Sequence, residues 1–216
     1  VTKVLIVDDH PLIRQGIQRI IDLEKDMKVA GEASSANEAI GMLSKEDFDI
    51  AIVDISLDGE VNGIDLIKAI HKRFNEVKTI VLSMHVETIY AVRAIRFGAS
   101  GYVTKKEAPQ CIVEAVRAAL RGELYVSGSL SGRVINRLIH GENVDSGVPI
   151  DNLSNREFEI FELIGNGYSS GDIAKKLNIS VNTIESHRKK IKDKLGVRTA
   201  SDLTRFAVKW VLGQNK

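Results

Sequence analysis

Cysteine is nearly missing from this chain: Cys111 is the single one among 216 residues. One thiol cannot build an internal disulfide framework, and the pattern suits a reducing compartment, so a cytoplasmic location is expected. Aromatic residues are scarce, at 5%, too few for a platform on which single-stranded bases would stack. No apolar run approaches the roughly 20 residues that span a bilayer, so no membrane association is expected. A secretory leader is not evident either, because the opening apolar run is short and meets acids at once. What is present, 44% hydrophobic and 27% charged residues, is the composition of an ordinary globular protein. The length suits one large domain or two ordinary ones.

Charge is nearly balanced overall, with 30 Lys and Arg against 29 Asp and Glu, but unevenly placed. Residues 151–216 hold 12 basic against 8 acidic side chains, a net of +4. That leaves 18 against 21, a net of −3, for residues 1–150. The C-terminal part is therefore the better partner for a polyanion.

Short apolar runs alternate with amphipathic stretches as far as Arg121. Residues 4–7, 29–33, 50–53, 80–82 and 101–103 read as strands, and an all-apolar run such as 50–53 suits a strand covered on both faces. Between them apolar side chains recur near every 3.6 residues, as in Leu12, Ile13, Ile17, Ile20 and Ile21, or Ile64, Ile67 and Ile70. Ser35 and Glu38 have the spacing of a capping box at a helix start. Five βα repeats predict an α/β domain over 1–121, a doubly wound five-stranded parallel sheet. Over 122–152, Gly, Ser, Asn and Asp cluster at Ser127-Gly128-Ser129 and in 141–147, with Pro149 following. This predicts a linker with one short helix around Val134, Ile135, Leu138 and Ile139. Residues 153–216 predict a second, smaller all-α domain. Ser154 and Glu157 form another capping box, Ser180 is a good N-cap for the longest helix, and Thr199 to Asp202 cap the last. Short helix, tight turn and longer helix make a helix-turn-helix.

The run Val4-Leu5-Ile6-Val7 stops on Asp8 and Asp9, and Ile50-Ala51-Ile52-Val53 stops on Asp54. Ligands of open parallel sheets bind beyond the carboxyl ends of the strands, so neighbouring strands would gather three acids there. Acids that close do not all stay ionised without a cation. Their hard oxygens suit Mg2+, which keeps positions for water and phosphoryl oxygens. Ser83 ends the fourth run and Lys105 follows the fifth, and a hydroxyl and a cation can hold the oxygens and charge of a phosphorylated carboxylate. The plainer alternative is a polar turn in which Asp8 and Asp9 cap the next helix. Phosphatases of the haloacid dehalogenase type also use an Asp at a strand end, but they need a second Asp two positions on, where this chain has Ser56.

With Val7-Asp8-Asp9-His10, Asp54, Ser83, Tyr102 and Lys105 in that order, residues 1–121 resemble the receiver domain of two-component response regulators. The resemblance implies strand order 2-1-3-4-5 and Asp54 as acceptor of a phosphoryl group from a histidine kinase. It implies Mg2+ held by Asp8, Asp9, Asp54 and the backbone carbonyl of Ser56. Ser83 and Lys105 would bind the phosphoryl group, and Tyr102 would change rotamer as Ser83 moves. No enzyme activity is implied beyond self-phosphorylation from small phosphodonors and autodephosphorylation at Asp54. The chain departs from the family at Leu57-Asp58-Gly59, where an apolar-Pro step is usual, and its interval from Asp54 to Gly63 is one residue longer than common. Ser56 and His85 stand at positions that tune phosphate lifetime.

At about 100° per residue, Ile184, Ile191 and Leu195 share the core stripe of the longest C-terminal helix. Asn182, Ser186, Lys189 and Asp193 fall opposite, with Glu185 and Lys192 on one shoulder and Lys190 on the other. Arg188, Lys189, Lys190, Lys192 and Lys194 crowd five cations into seven residues. Such a run is by itself usually a solvated face, but on the longer helix of a helix-turn-helix it points to the major groove. Leu153-Ser154-Asn155-Arg156-Glu157, Gly167, Ile173-Ala174-Lys175-Lys176-Leu177, Ile179-Ser180, Thr183-Ile184, His187 and Lys194-Leu195 make residues 153–211 resemble a LuxR-type DNA-binding domain. The expected DNA-facing set is Asn182, Thr183, Glu185, Ser186, Arg188, Lys189, Lys190 and Lys192. Glu185 departs from the basic residue often found there, and a carboxylate that accepts from cytosine N4 or repels the DNA backbone would alter specificity. His187 reads as a packed structural histidine. The last helix, with Leu203, Val208 and Trp210, is expected to combine core contacts with a dimer face.

Together the resemblances describe a response regulator of the NarL/FixJ class. They imply a cytoplasmic transcription factor, homodimeric on double-stranded DNA, switched by phosphorylation of Asp54, with RNA polymerase a further candidate partner. The alternative is a phosphorylation-independent or ligand-controlled DNA-binding regulator with a receiver-like fold.

Overall fold

A computed structural model describes residues 1–57, 63–84, 88–140, 150 and 153–214. Asp58, Gly59, His85, the 141–147 cluster and Pro149, each singled out above, lie outside the described residues. The chain divides into two compact units, Val1–Glu142 and Asn143–Lys216.

The first unit alternates β1 (Thr2–Val7), α1 (Pro11–Asp22), β2 (Met27–Ala33), α2 (Ala36–Leu43), β3 (Ile50–Asp54), α3 (Gly63–Arg73), β4 (Lys78–Ser83), α4 (Thr88–Arg96), β5 (Gly101–Thr104) and α5 (Ala108–Leu120). Every residue of β3 and β5 is buried, because βα crossovers cover both faces of a parallel sheet. Apolar side chains of α1 and α5, including Ile17, Ile21, Ile112 and Val116, pack with Val4, Ile6, Ile52, Ile80 and Val103 in one core. The cap of α2 differs slightly from the expected box. Ser35 Oγ accepts from the Glu38 amide at 3.3 Å, but Glu38 Oε2 reaches one residue further back, to the Ser34 amide and hydroxyl at 2.7 and 2.9 Å.

The sheet has six parallel strands in the order β2-β1-β3-β4-β5-β6, one more than the five expected. The added strand, β6 (Tyr125–Val126), lies in the stretch read as linker. Two residues cannot display a period of two, so sequence pattern has no means of announcing this strand. It forms because the Tyr125 amide donates to the Ser100 carbonyl at 3.1 Å and the Ser127 amide to Tyr102 at 2.9 Å, using acceptors that β5 would otherwise leave at an edge. A 3-10 turn at Gly128–Leu130 then leads into α6 (Ser131–His140), the short helix expected around Val134, and α6 packs on α4 and β6.

The second unit holds α7 (Asn155–Gly165), α8 (Ser170–Lys176), α9 (Val181–Leu195) and α10 (Ala200–Gln214). The Ser154–Glu157 capping box is complete, with bonds of 3.3 and 2.8 Å. Glu157 also receives the Lys194 ammonium at 2.6 Å, joining the start of α7 to the end of α9. Phe158 meets Trp210 edge to face, and Phe161 contacts both Phe206 and Trp210, so α10 closes the core over α7. Gly196, at φ +67°, ends α9 in the left-handed conformation that glycine adopts without strain. Among the described residues no helix is long and apolar enough to cross a membrane.

His187, on α9, has a buried Nδ1 with no hydrogen-bond partner among the described residues. Burial holds its pKa below the ordinary 6.5. The unfolded chain therefore binds this proton first as pH falls, and the second unit loses stability as pH drops below about 6.5. His187→Gln should flatten that part of the stability profile, measured by thermal melts between neutral and mildly acid pH. An unchanged profile would refute a buried neutral imidazole.

Candidate functional site

Parallel pairing places β1 between β2 and β3, with Val7 beside Val53. The chain reverses its winding between β1 and β3, and at such a switch point the loops part and leave a crevice at the strands' carboxyl ends. Asp8 and Asp9 leave β1 there, and Asp54 ends β3. Carboxylate oxygens of these three and the ring of His10 lie within 4.8 Å of one another.

Lys105, immediately after β5, brings the cluster its cation. Its Nζ lies 2.7 Å from Asp54 Oδ2 and 2.8 Å from Asp8 Oδ2, and the side chains of both acids are 1% exposed. The Ser56 amide donates to Asp54 Oδ1 at 3.0 Å, and the His10 amide donates to Asp8 Oδ1 at 2.8 Å. Asp9 pairs with His10 Nδ1 at 2.7 Å. Burial lifts the pKa of Asp54 above the ordinary carboxylate value, outweighing the hydrogen bond and charge of Lys105, and nearby Asp8 adds to the rise. Burial would lower the Lys105 ammonium, but its bonds to Asp54 and Asp8 and their charges outweigh that and hold its pKa up. The cluster thus favours extra positive charge on every count.

These residues fit a divalent cation. Three carboxylates gather here, and Asp8 Oδ2, buried with no other hydrogen-bond partner among the described residues, is met by the Lys105 ammonium at 2.8 Å. A set of hard oxygen donors suits Mg2+ better than a softer metal. His10 stands beside the acids, and its place next to Asp9 in the Val7-Asp8-Asp9-His10 motif is the sequence signal for this.

Ser83, fully buried, ends β4 beside Thr104, and its carbonyl accepts from the Lys105 amide at 2.7 Å. Tyr102, also fully buried, lies on β5 opposite Val81. Adjacent strands therefore carry Asp54, Ser83 and Lys105 to one rim, with Tyr102 three residues before Lys105 in the buried sheet.

In the second unit, Ile184, Ile191 and Leu195 are buried, while Asn182, Thr183, Glu185, Ser186, Lys189 and Lys190 are exposed and Arg188 and Lys192 half-buried. Four of these side chains are engaged within the protein, Thr183 with the Ser180 hydroxyl at 2.8 Å. The Ser170 hydroxyl, at the first residue of α8, donates to Glu185 Oε1 at 2.6 Å, and Arg188 NH1 donates to the Ser170 hydroxyl at 3.3 Å. Ser170 was absent from the expected set. Its partner lies 15 residues away on another helix, so only the crossing of α8 with α9 shows that it orients a residue of the exposed face of α9. The Ser186 hydroxyl turns back to the Asn182 carbonyl at 3.0 Å.

Comparison with known proteins gives a consistent picture. The family described as response regulator receiver domain matches residues 4–117, and bacterial regulatory proteins of the luxR family match residues 151–207. The oxygen regulatory protein NreC of Staphylococcus haemolyticus is 33% identical over 210 residues, covering 96% of this chain and 97% of NreC. The response regulator UvrY of Escherichia coli is 33% identical over 207 residues, covering 96% of this chain and 94% of UvrY. Among solved structures, one of two RcsB dimers bound to two parallel DNAs is 29% identical with a TM-score of 0.61, covering 100% of this chain and 99% of RcsB. Salmonella typhimurium RcsB is 30% identical with a TM-score of 0.59, covering 95% of this chain and 97% of RcsB.

Proposed function

The chain belongs to the response regulators with a LuxR-type DNA-binding domain, the NarL/FixJ class, and from that membership we propose that phosphorylation of Asp54 by a histidine kinase switches its binding to DNA. One observation carries this reading: Lys105 bridges the buried carboxylates of Asp54 and Asp8 at 2.7 and 2.8 Å, at the carboxyl ends of three different strands. A structural ion pair does not call for a third acid beside the two that Lys105 bridges, whereas a phosphoryl acceptor with a metal seat does.

In the proposed reaction an Asp54 carboxylate oxygen bonds to phosphorus as the bond from phosphorus to the donor's imidazole nitrogen breaks, leaving an aspartyl phosphate. Asp8, Asp9, Asp54 and the Ser56 carbonyl would hold Mg2+, which when bound would supply positive charge to neutralise phosphoryl oxygens. Lys105 and Ser83 then hold the phosphoryl oxygens, Tyr102 follows Ser83, and the surface over 89–97 repacks. Self-phosphorylation from small phosphodonors and slow loss of phosphate at Asp54 are the only chemistry of the chain itself. The receiver spans 1–121 and the DNA reader 153–216, with 122–152 between them. β6 and α6 of that middle stretch pack on the receiver. A cytoplasmic homodimer on paired DNA half-sites, in contact with RNA polymerase, completes the proposal. The RcsB structure with dimers on DNA supports the dimeric, DNA-bound part of it.

Incubation with acetyl phosphate and Mg2+ tests the switch. One phosphoryl group per chain is expected by intact mass, lost in Asp54→Asn, with a change in affinity for DNA selected from a random pool. An adduct that survives Asp54→Asn would end the reading and favour the phosphorylation-independent alternative. For the DNA face, Lys189→Ala should weaken binding about evenly across sequences and lower the salt slope by about one. An unchanged salt slope, measured by titration at several ionic strengths, would remove Lys189 from the DNA contact.

A further inference from the structure

Glu107 belongs to none of the groups described so far, yet it joins three of them. The Thr104 hydroxyl donates to Glu107 Oε2 at 2.8 Å, and the Ser127 hydroxyl donates to the same oxygen at 2.7 Å. Ser127 Oγ in turn accepts from the Thr104 backbone amide at 3.2 Å, and the Glu107 amide returns to the Thr104 hydroxyl at 3.3 Å. Thr104 and Ser127 are 3% and 1% exposed, so each hydroxyl and amide in this closed set is satisfied inside the protein.

The location gives the set its meaning. Tyr102 pairs with Val126, the last residue of β6. One step further on, the Ser127 side chain takes the place of a ladder carbonyl and receives the Thr104 amide. Thr104 immediately precedes Lys105, so the backbone from which Lys105 reaches Asp54 is anchored on one side by the Ser83 carbonyl and on the other by Ser127 and Glu107. Gly128 is part of the arrangement. It sits at φ +42°, and a Cβ there would come 2.2 Å from Glu107 Oε1, so glycine at this position leaves the carboxylate its seat. Hydrogen bonds from Ser127 and then Thr104 hold Glu107 below the ordinary carboxylate pKa, which keeps it an anionic acceptor. Three residues beyond Gly128, α6 begins, and it packs on α4, the helix that follows Ser83 along the chain.

We propose that Glu107, acting through Thr104 and Ser127, is the positioning residue that fixes Lys105 for phosphoryl transfer and ties it to the start of α6. This inference rests on Asp54 being the phosphoryl acceptor. It makes the segment after α5 part of the site's geometry and not a passive tether. A displacement of the Lys105 backbone reaches α6 directly through Ser127, alongside any movement carried by β4 and α4.

The test is a double-mutant cycle on the full chain with acetyl phosphate and Mg2+. In the measured step an Asp54 carboxylate oxygen bonds to phosphorus while the bond from phosphorus to the acetyl oxygen breaks and acetate leaves. Glu107→Ala and Ser127→Ala should each slow phosphorylation about tenfold at saturating acetyl phosphate, because small misplacements of a charged group cost rate steeply. Glu107→Gln, whose amide oxygen still accepts both hydroxyls, should stay within about twofold of the wild type. In a Lys105→Met background, Glu107→Ala should add nothing, since its effect passes through the lysine. Additive losses, or a wild-type rate in Glu107→Ala, overturn the proposal. Hydrogen exchange over 125–140 supplies a second readout: the change on adding beryllofluoride and Mg2+ should vanish in Glu107→Ala, and its persistence counts against the tie to α6. If the unmodified chain forms no adduct dependent on Asp54, the phosphoacceptor reading itself fails, an outcome distinct from loss of the Glu107 role alone.

Discussion

Lys105→Met should cost the first unit about 3–5 kcal/mol in magnesium-free buffer at neutral pH. The substitution keeps the apolar stem and removes the ammonium that, among the described residues, faces Asp8 and Asp54, both 1% exposed in their side chains. Two unpaired carboxylates in a buried site repel, and one must take up a proton. Asp54 already has a raised pKa from burial and from Asp8. A carboxyl whose folded pKa lies above its unfolded value contributes stability below the unfolded pKa, and that contribution is lost as pH rises through the folded value. The deficit of Lys105→Met should therefore grow with pH and shrink in acid. Magnesium should restore part of it, because a divalent cation takes over the neutralisation. Phosphorylation by acetyl phosphate should fall about 100- to 1000-fold, the usual cost of removing a charge aimed at a transferring group. Urea denaturation with EDTA or with magnesium, read across pH, measures the first part, and intact mass against time the second. Wild-type stability in EDTA would mean that Lys105 does not neutralise the acids.

Gly63→Ala is the second large effect. At the first residue of α3, an added Cβ would lie 2.0 Å from the Asp54 carbonyl oxygen and 2.7 Å from the Ile55 Cα. Both neighbours are backbone, so no rotamer change relieves the clash, and α3 has to withdraw from the end of β3. Overpacking of a core side chain costs about 1–3 kcal/mol, and a backbone contact this close should reach or exceed the upper figure. The strained strand end is the one that carries Asp54, so phosphorylation should slow at least about tenfold as well. Gly16→Ala is the internal control: it lies exposed on α1 with nothing within 4 Å of its added Cβ, and should be neutral or stabilising by up to about 1 kcal/mol. A Gly63→Ala chain within about 1 kcal/mol of wild type would show that α3 has room to move.

Most of the first unit was legible because burial writes itself into the sequence. Strands covered on both faces must be apolar over most of their length, as β3 is from Ile50 to Val53 before it ends on Asp54, while helices with one covered face repeat near 3.6 residues. Caps were legible for a similar reason: the amides they satisfy are local, as at Ser154 and Glu157. β6 escaped because two residues have no period, and its stability comes from amides that meet carbonyls of Ser100 and Tyr102. The exposed face of α9 followed from angle alone, but the engagement of Glu185 with Ser170 did not, since it depends on how α8 crosses α9. Glu107 escaped for the same reason: Thr104 is its neighbour in sequence, Ser127 is not.

The sequence by itself determined the βα alternation, the helix-turn-helix and the residue types at the strand ends, because each follows from local hydrogen bonding or from one face being hidden from water. Only the tertiary structure decided which of those ends meet. Asp54 and Lys105 are 51 residues apart, and nothing in the period of a strand names its neighbour. That choice belongs to the order in which strands pair, β2-β1-β3-β4-β5-β6. Pairing puts two buried acids within reach of one ammonium, where low exposure makes the charges count far more than they would in water.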